Sequence, residues 1–151
     1  LWKNKKIKIE LAINLGALYE QTRDPKAMEF VDSFMITLDT SDTRDDRIAW
    51  ILCQQYKAKI FGYRGDYHKG IETAISASQL TFLNGFPDYK LGIFSVLSDY
   101  LNKVGDPKSS EKYLLQALNS DGWYPYEIKM LLPKLAKLYL NQDSISRAEM
   151  T

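Results

Sequence analysis

Apolar residues recur at three- and four-residue spacing along most of the chain, and short turn signals interrupt them. Ile9, Ile13, Leu15, Leu18 and Tyr19 predict a first helix over 6–21, and Ala27, Met28, Val31, Phe34 and Met35 a second over 25–38. The stretch 44–63 is apolar nearly all round, through Ile48, Trp50, Ile51, Leu52, Cys53, Tyr56 and Ile60. That pattern suits a helix packed on both sides. Further helices are predicted over 67–83 (ended by Asn84-Gly85), 87–103, 107–118 and 125–141, with a turn at Asp121-Gly122 and an eighth helical pattern opening at Ser144. Pro133 falls inside the seventh, where its missing N–H predicts a kink or two short helices meeting. No alternating β-pattern of useful length is present, so the fold class is all-α.

The turns repeat. Arg23-Asp24-Pro25, Gly65-Asp66-Tyr67, Gly105-Asp106-Pro107 and Gln142-Asp143-Ser144 follow one another at roughly 40 residues, the period of a stacked array of helical hairpins. Gly16, Ala58, Ser98 and Ala136 stand in step before them, with Tyr19, Phe61, Leu101 and Tyr139 three residues later. Ala27, Gly70, Ser110 and Ala148 stand in step after them. An Asp before a helix accepts from the free N–H groups of its first turn, and Pro suits the first helical position. Gly65 and Gly105 can take a positive φ and end the preceding helix. Small side chains at Ala58 and Gly70 predict that two helices approach closely there. The hairpins expected are 6–38, 44–83, 87–118 and 125–151, about three and a half repeats in one domain over 1–151.

Leu15-Gly16 with Tyr19, Gly65-Asp66-Tyr67 with Ala74 and Ala77, and Leu135-Ala136 with Tyr139 resemble the tetratricopeptide repeat (TPR) family. The resemblance covers most of the chain. It departs in period, since the usual repeat has about 34 residues, and it lacks the Trp near each repeat start. Longer variants occur in several bacterial regulators. The resemblance implies a right-handed α-α superhelix of antiparallel hairpins, whose first helices line a concave groove that takes a protein or peptide partner. The family's carboxylate clamp is not reproduced: its first-repeat Lys and Asn would fall at Ile13 and Ala17. Chaperone-tail binding is therefore not expected.

Composition narrows the chemistry. Net charge is +1, from 20 basic and 19 acidic residues, which argues against a general nucleic-acid surface. No apolar run is long enough to insert in a membrane. The chain opens on Leu1 and stops within a helical pattern, so a segment of a longer protein is expected, of unknown compartment. No catalytic constellation, cofactor motif or metal spacing is found. Cys53 lies on an apolar helix and reads as a buried thiol rather than a nucleophile served by His68, the single histidine. The glycines of 62–70 lack the Gly-Lys-Ser/Thr end of a phosphate loop. Asp39, Asp42, Asp45 and Asp46 lack the pattern of a calcium loop and read as helix capping, with Thr43 and Asp46 placed like a capping box. Lys3, Lys5, Lys6 and Lys8 read as a solvated helix start.

Polar residues beside the small-residue register point to the groove: Asn14, Gln55, Lys59, Tyr63, Asp99, Asn102, Lys103 and Lys137. Amide side chains there could satisfy a bound peptide backbone, which offers donors and acceptors alike. Trp123, Tyr124 and Tyr126 form an aromatic cluster, read either as packing between hairpins or as a partner contact. The function expected is a non-enzymatic protein- or peptide-binding module, for sensing or scaffolding, in a bacterial transcription regulator or sensor kinase. Self-association into a homo-oligomer is the alternative.

Overall fold

A computed structural model describes residues 6–41, 44–83, 90–119 and 125–149. These form seven α-helices: α1 (Lys6–Thr22), α2 (Ala27–Met35), α3 (Arg44–Tyr63), α4 (Tyr67–Leu83), α5 (Lys90–Lys103), α6 (Pro107–Leu118) and α7 (Pro125–Glu149). Every described element is helical. The expected breaks at Asn84-Gly85 and Asp121-Gly122, the start at Pro87, and the caps at Asp42 and Thr43 lie outside the described residues.

The odd-numbered helices are neighbours in chain order, α1 beside α3, α3 beside α5 and α5 beside α7. Each even-numbered helix packs on the odd helices before and after it: α2 on α1 and α3, α4 on α3 and α5, α6 on α5 and α7. The apolar circumference of α3 follows from this, since α1, α2, α4 and α5 all pack on it. Ile48, Ile51, Ile60, Ile93, Phe94, Leu97, Leu114 and Leu131 are fully buried between the layers.

The second and third turns end their helices in one way. Gly65 (φ 81°) and Gly105 (φ 80°) are left-handed. Asp66 N–H donates to the Phe61 carbonyl and Gly65 N–H to that of Gly62; Asp106 N–H donates to Leu101 and Gly105 N–H to Asn102. Both are Schellman closures, which satisfy the last carbonyls of the helix. Each Asp then serves the next helix, accepting from Lys69 N–H at 3.2 Å and from Ser109 N–H at 3.1 Å. Hydrogen bonding to Ser109 holds the Asp106 carboxyl below its usual range. The first turn also ends on a left-handed residue, but a different one with a different bond: Arg23 stands at φ 51° and donates its N–H to Tyr19 O, four residues back, at 2.8 Å. A left-handed conformation costs a residue with a side chain about 1–2 kcal/mol.

Two helices, α2 and α7, depart from their expected bounds by more than one residue. The second helix starts at Ala27 and ends at Met35, shorter than 25–38. Asp24 Oδ1 captures Lys26 N–H, and Thr37 and Leu38 N–H bond the carbonyls three residues back, which tightens both ends. More consequential, α7 continues from Pro125 to Glu149, through Pro133 and through Gln142-Asp143-Ser144. The fourth turn and the eighth helix expected from Ser144 are not formed, so 125–149 is one helix rather than a hairpin. The reason is local: no glycine stands there to reverse φ, and Asn141, Gln142 and Asp143 are all compatible with a helix interior. Pro133 forfeits one hydrogen bond without ending the helix.

Polar groups also pin the layers. Asp46, 3% exposed, accepts from Lys8 Nζ at 2.8 Å with both oxygens and from Asp39 N–H at 2.8 Å. It ties α1 and the α2–α3 connection to the start of α3. The buried Ser98 and Ser110 hydroxyls lie 2.9 Å apart, joining α5 to α6 at the small-residue register.

Candidate binding face

The hairpin turns run successive odd helices in the same direction. The ends of α1, α3 and α5 therefore share one edge of the odd-helix layer. That edge carries Arg23, Tyr63, Asn102 and Lys103, all exposed. Asn14 and Lys137 are exposed further along α1 and α7. These six solvent-facing groups include five of the eight residues named from the sequence.

The other three are engaged within the chain. Lys59 pairs with Glu20 of α1. Asp99 accepts from Lys134 Nζ of α7 at 2.7 Å. Gln55 is half-buried, with its amide over Gly92 of α5, where an added Cβ would lie 2.3 Å from it. They therefore face neighbouring odd helices: Lys59 and Asp99, each next to a small-residue position, pair across to α1 and α7, with the Asp99 side chain still half exposed. Glu20 and Lys134, their partners, were not legible: nothing local marks a pair separated by more than thirty residues.

The most structured part of the edge lies between the first and second turns. Tyr63 is 56% exposed and its ring centroid is 6.1 Å from that of the buried Tyr19. The Arg23 guanidinium carbon sits 3.6 Å above the Tyr63 ring and 5.6 Å from that of Tyr19. Arg64 Nη2 donates to Pro25 O at 3.0 Å, holding the first turn against the second. Tyr19, Arg23, Asp24, Pro25, Tyr63 and Arg64 line an open cleft of ≈ 440 Å³. Tyr63 is among the residues expected from the sequence; Arg23 and Arg64 are not. The signal was present, since Arg23 holds the register position of Gly65 and Gly105. A second open cleft, of ≈ 380 Å³, lies between α4 and α6, lined by Ile75, Ser78, Gln79, Lys112, Tyr113 and Gln116.

Trp123 and Tyr124 lie outside the described residues, as does the side chain of Tyr126. Cys53 is buried at 1% exposure on α3, whereas His68 is exposed at the start of α4. Among the described residues no cluster of three His, Cys, Asp or Glu could hold a metal ion, and no helix is long and apolar enough to cross a membrane.

Burial pushes the Cys53 thiol up to about 12, against a smaller opposing pull from Lys57. Burial, followed by the nearby Tyr63, pushes the Tyr100 hydroxyl up to about 12 as well. Both groups keep their protons in the folded chain beyond the pH, about 8.5 and 10, at which the unfolded chain loses them. The unfolded state then binds fewer protons, so stability falls as pH rises from about 9 to 12. Urea midpoints should be level between pH 7 and 8 and decline above 9. Cys53→Ala should delay the decline; an unchanged onset would place the thiol in contact with water.

No protein-family model, curated protein or solved structure matches the chain.

Proposed function

We propose that this chain is a TPR-like module of helical hairpins that binds a protein or extended peptide along its odd-helix layer, and serves as a sensing or scaffolding part of a bacterial regulator or sensor kinase. The observation that carries the reading is the shared edge of α1, α3 and α5, where Arg23, Tyr63, Asn102 and Lys103 stay exposed while the even helices cover the opposite side. Aromatic and guanidinium groups of this kind are enriched at binding hot spots, and amide side chains pair with peptide backbone. The turns, recurring near 40 residues with Gly or Arg before Asp, support the relationship to the longer-repeat members of the family. A regulator as parent rests on that analogy alone.

The test is a peptide-array screen followed by titration of hits against Asn14→Ala/Asn102→Ala/Lys103→Ala. All three residues are exposed, so the thermal midpoint should stay within the small range of surface substitutions. Affinity should fall roughly tenfold or more. Unchanged affinity would move the partner off this face.

A second reading, self-association, is favoured by a different observation. Leu11 and Leu18 of α1 are 44% and 55% exposed, although their register equivalents Cys53, Ile60, Ile93, Leu131 and Leu138 are buried. At the other end Leu132 and Tyr139 of α7 are 48% and 41% exposed, where Phe94 and Leu101 of α5 are buried. These are the surfaces that adjacent hairpins cover elsewhere in the array, and uncovered ends of an array invite stacking. Sedimentation velocity over a concentration series distinguishes the readings: a mass that grows with concentration, together with no peptide binding, favours self-association.

A further inference from the structure

Arg23 is the anomaly of the fold. The second and third turns place glycine at the left-handed position, where no side chain has to be accommodated. The first turn keeps the same left-handed form with an arginine. A glycine would close the turn with less strain, so the side chain has a use that the turn does not require.

Its setting suggests what that use is. The guanidinium carbon sits 3.6 Å from the centre of the Tyr63 ring, with Tyr19 alongside. Hydrogen bonding to Tyr63 and Tyr19 takes up part of its donor set, but a guanidinium carries five N–H donors in a planar fork, and those left over can pair with a carboxylate. The lysines around the odd-helix layer are mostly neutralised: Lys8 by Asp46, Lys57 by Asp32, Lys59 by Glu20 and Lys134 by Asp99. Among the described residues neither Arg23 nor Arg64 has a carboxylate partner. Arg64 is fixed to Pro25 O across the same cleft, which positions the first turn. The one acidic side chain lining the cleft, Asp24, directs Oδ1 at Lys26 N–H.

We propose that the cleft between the first and second turns is a subsite for a carboxylate side chain of a bound peptide, with Arg23 as its direct partner and Tyr63 as the platform that orients it. The subsite rests on the peptide-binding reading and specifies the partner: an acidic residue over Arg23, with the peptide continuing toward Asn102 and Lys103. It is not the clamp excluded above, since it uses neither Ile13 nor Ala17.

The test uses the whole chain and short fluorescein-labelled peptides identical except at the central residue, which is Glu, Gln or phosphoserine. The Glu peptide should bind roughly tenfold or more tightly than the Gln peptide, as expected for a charge-assisted pair, and the preference should weaken with salt. Arg23→Gly should abolish the preference while the urea midpoint stays level or rises, because the strain is relieved. Arg23→Gln keeps the strain and loses the charge, and should abolish the preference without raising the midpoint. Arg23→Lys should restore only part of it, since an ammonium neither stacks nor pairs as a fork. A merely structural arginine gives the opposite pattern, a lower midpoint with the preference intact, and would overturn the proposal. Tight binding of Glu and Gln peptides alike would overturn the subsite and leave peptide binding standing. Binding of the phosphoserine peptide alone would overturn the carboxylate assignment. Failure of every peptide to bind would overturn both.

Discussion

Phe94→Ala should lower the free energy of unfolding by about 3–5 kcal/mol, the largest loss expected from a single side-chain truncation in this chain. Phe94 has no exposed surface and is the largest of the fully buried side chains among the described residues. It stands on α5, which packs on α3, α4, α6 and α7, so no single neighbouring helix can move in to fill the space. A cavity that cannot collapse loses the contacts of its lining as well as the transfer free energy of the ring. Domains of this size are stable by about 5–15 kcal/mol, so a large part of the total is at stake. Urea denaturation measures it, with Ile36→Ala as the control. Ile36 is 84% exposed, and its truncation should stay within about 0.5 kcal/mol. Equal losses at the two positions would contradict the packing of α5.

Gly62→Ala should destabilise the chain by about 1–3 kcal/mol, although alanine is the better helix former by about 1 kcal/mol. The Tyr100 ring of α5 is wedged against two glycines. A Cβ at Gly62 would lie 2.0 Å from its hydroxyl oxygen and 2.2 Å from Cζ, and one at Gly70 would lie 2.9 Å from the ring and 3.1 Å from the Ala58 carbonyl oxygen. The ring is also held edge-on to Tyr67, with centroids 5.3 Å apart, so it cannot simply swing aside. In a Tyr100→Ala background the obstruction is gone, and Gly62→Ala should then stabilise by about 0.5–1 kcal/mol. The change of sign across this double-mutant cycle is the decisive observation. The same cost in both backgrounds would mean that Tyr100 does not occupy the slot between α3 and α4.

The close approach of Ala58 and Gly70 was legible as small residues in register, but what fills it was not. Tyr100 contributes its ring from the next hairpin, and nothing near it in sequence announces that. The missing fourth turn teaches the converse. Gln142-Asp143-Ser144 has the spacing of a turn, yet each of the three turns that form at this register carries a left-handed residue, Arg23, Gly65 or Gly105, and that stretch has neither glycine nor an arginine in a stacked setting. Of the residues chosen for the groove, those in the last turns of α3 and α5 remained exposed. Lys59 and Asp99 did not stay free, because the adjacent helix supplied a partner for each, and Gln55 lies with its amide against Gly92 of α5.

What the chain determined by itself is what local physics controls. Three-four periodicity makes every described element a helix, Gly65 and Gly105 reverse φ, and Asp66 and Asp106 satisfy the N–H groups that follow. Each needs only residues within one or two turns, so each can be read without knowing what packs on what. Tertiary structure decided which charges are neutralised and which remain available. Lys59 meets Glu20 and Lys134 meets Asp99 only because odd helices stand side by side, and Arg23 stacks on Tyr63 only because the first turn lies against the second. Ion pairing and stacking act over a few ångströms in space and are indifferent to distance along the chain, so the features that define the candidate site arise only once the helices have assembled.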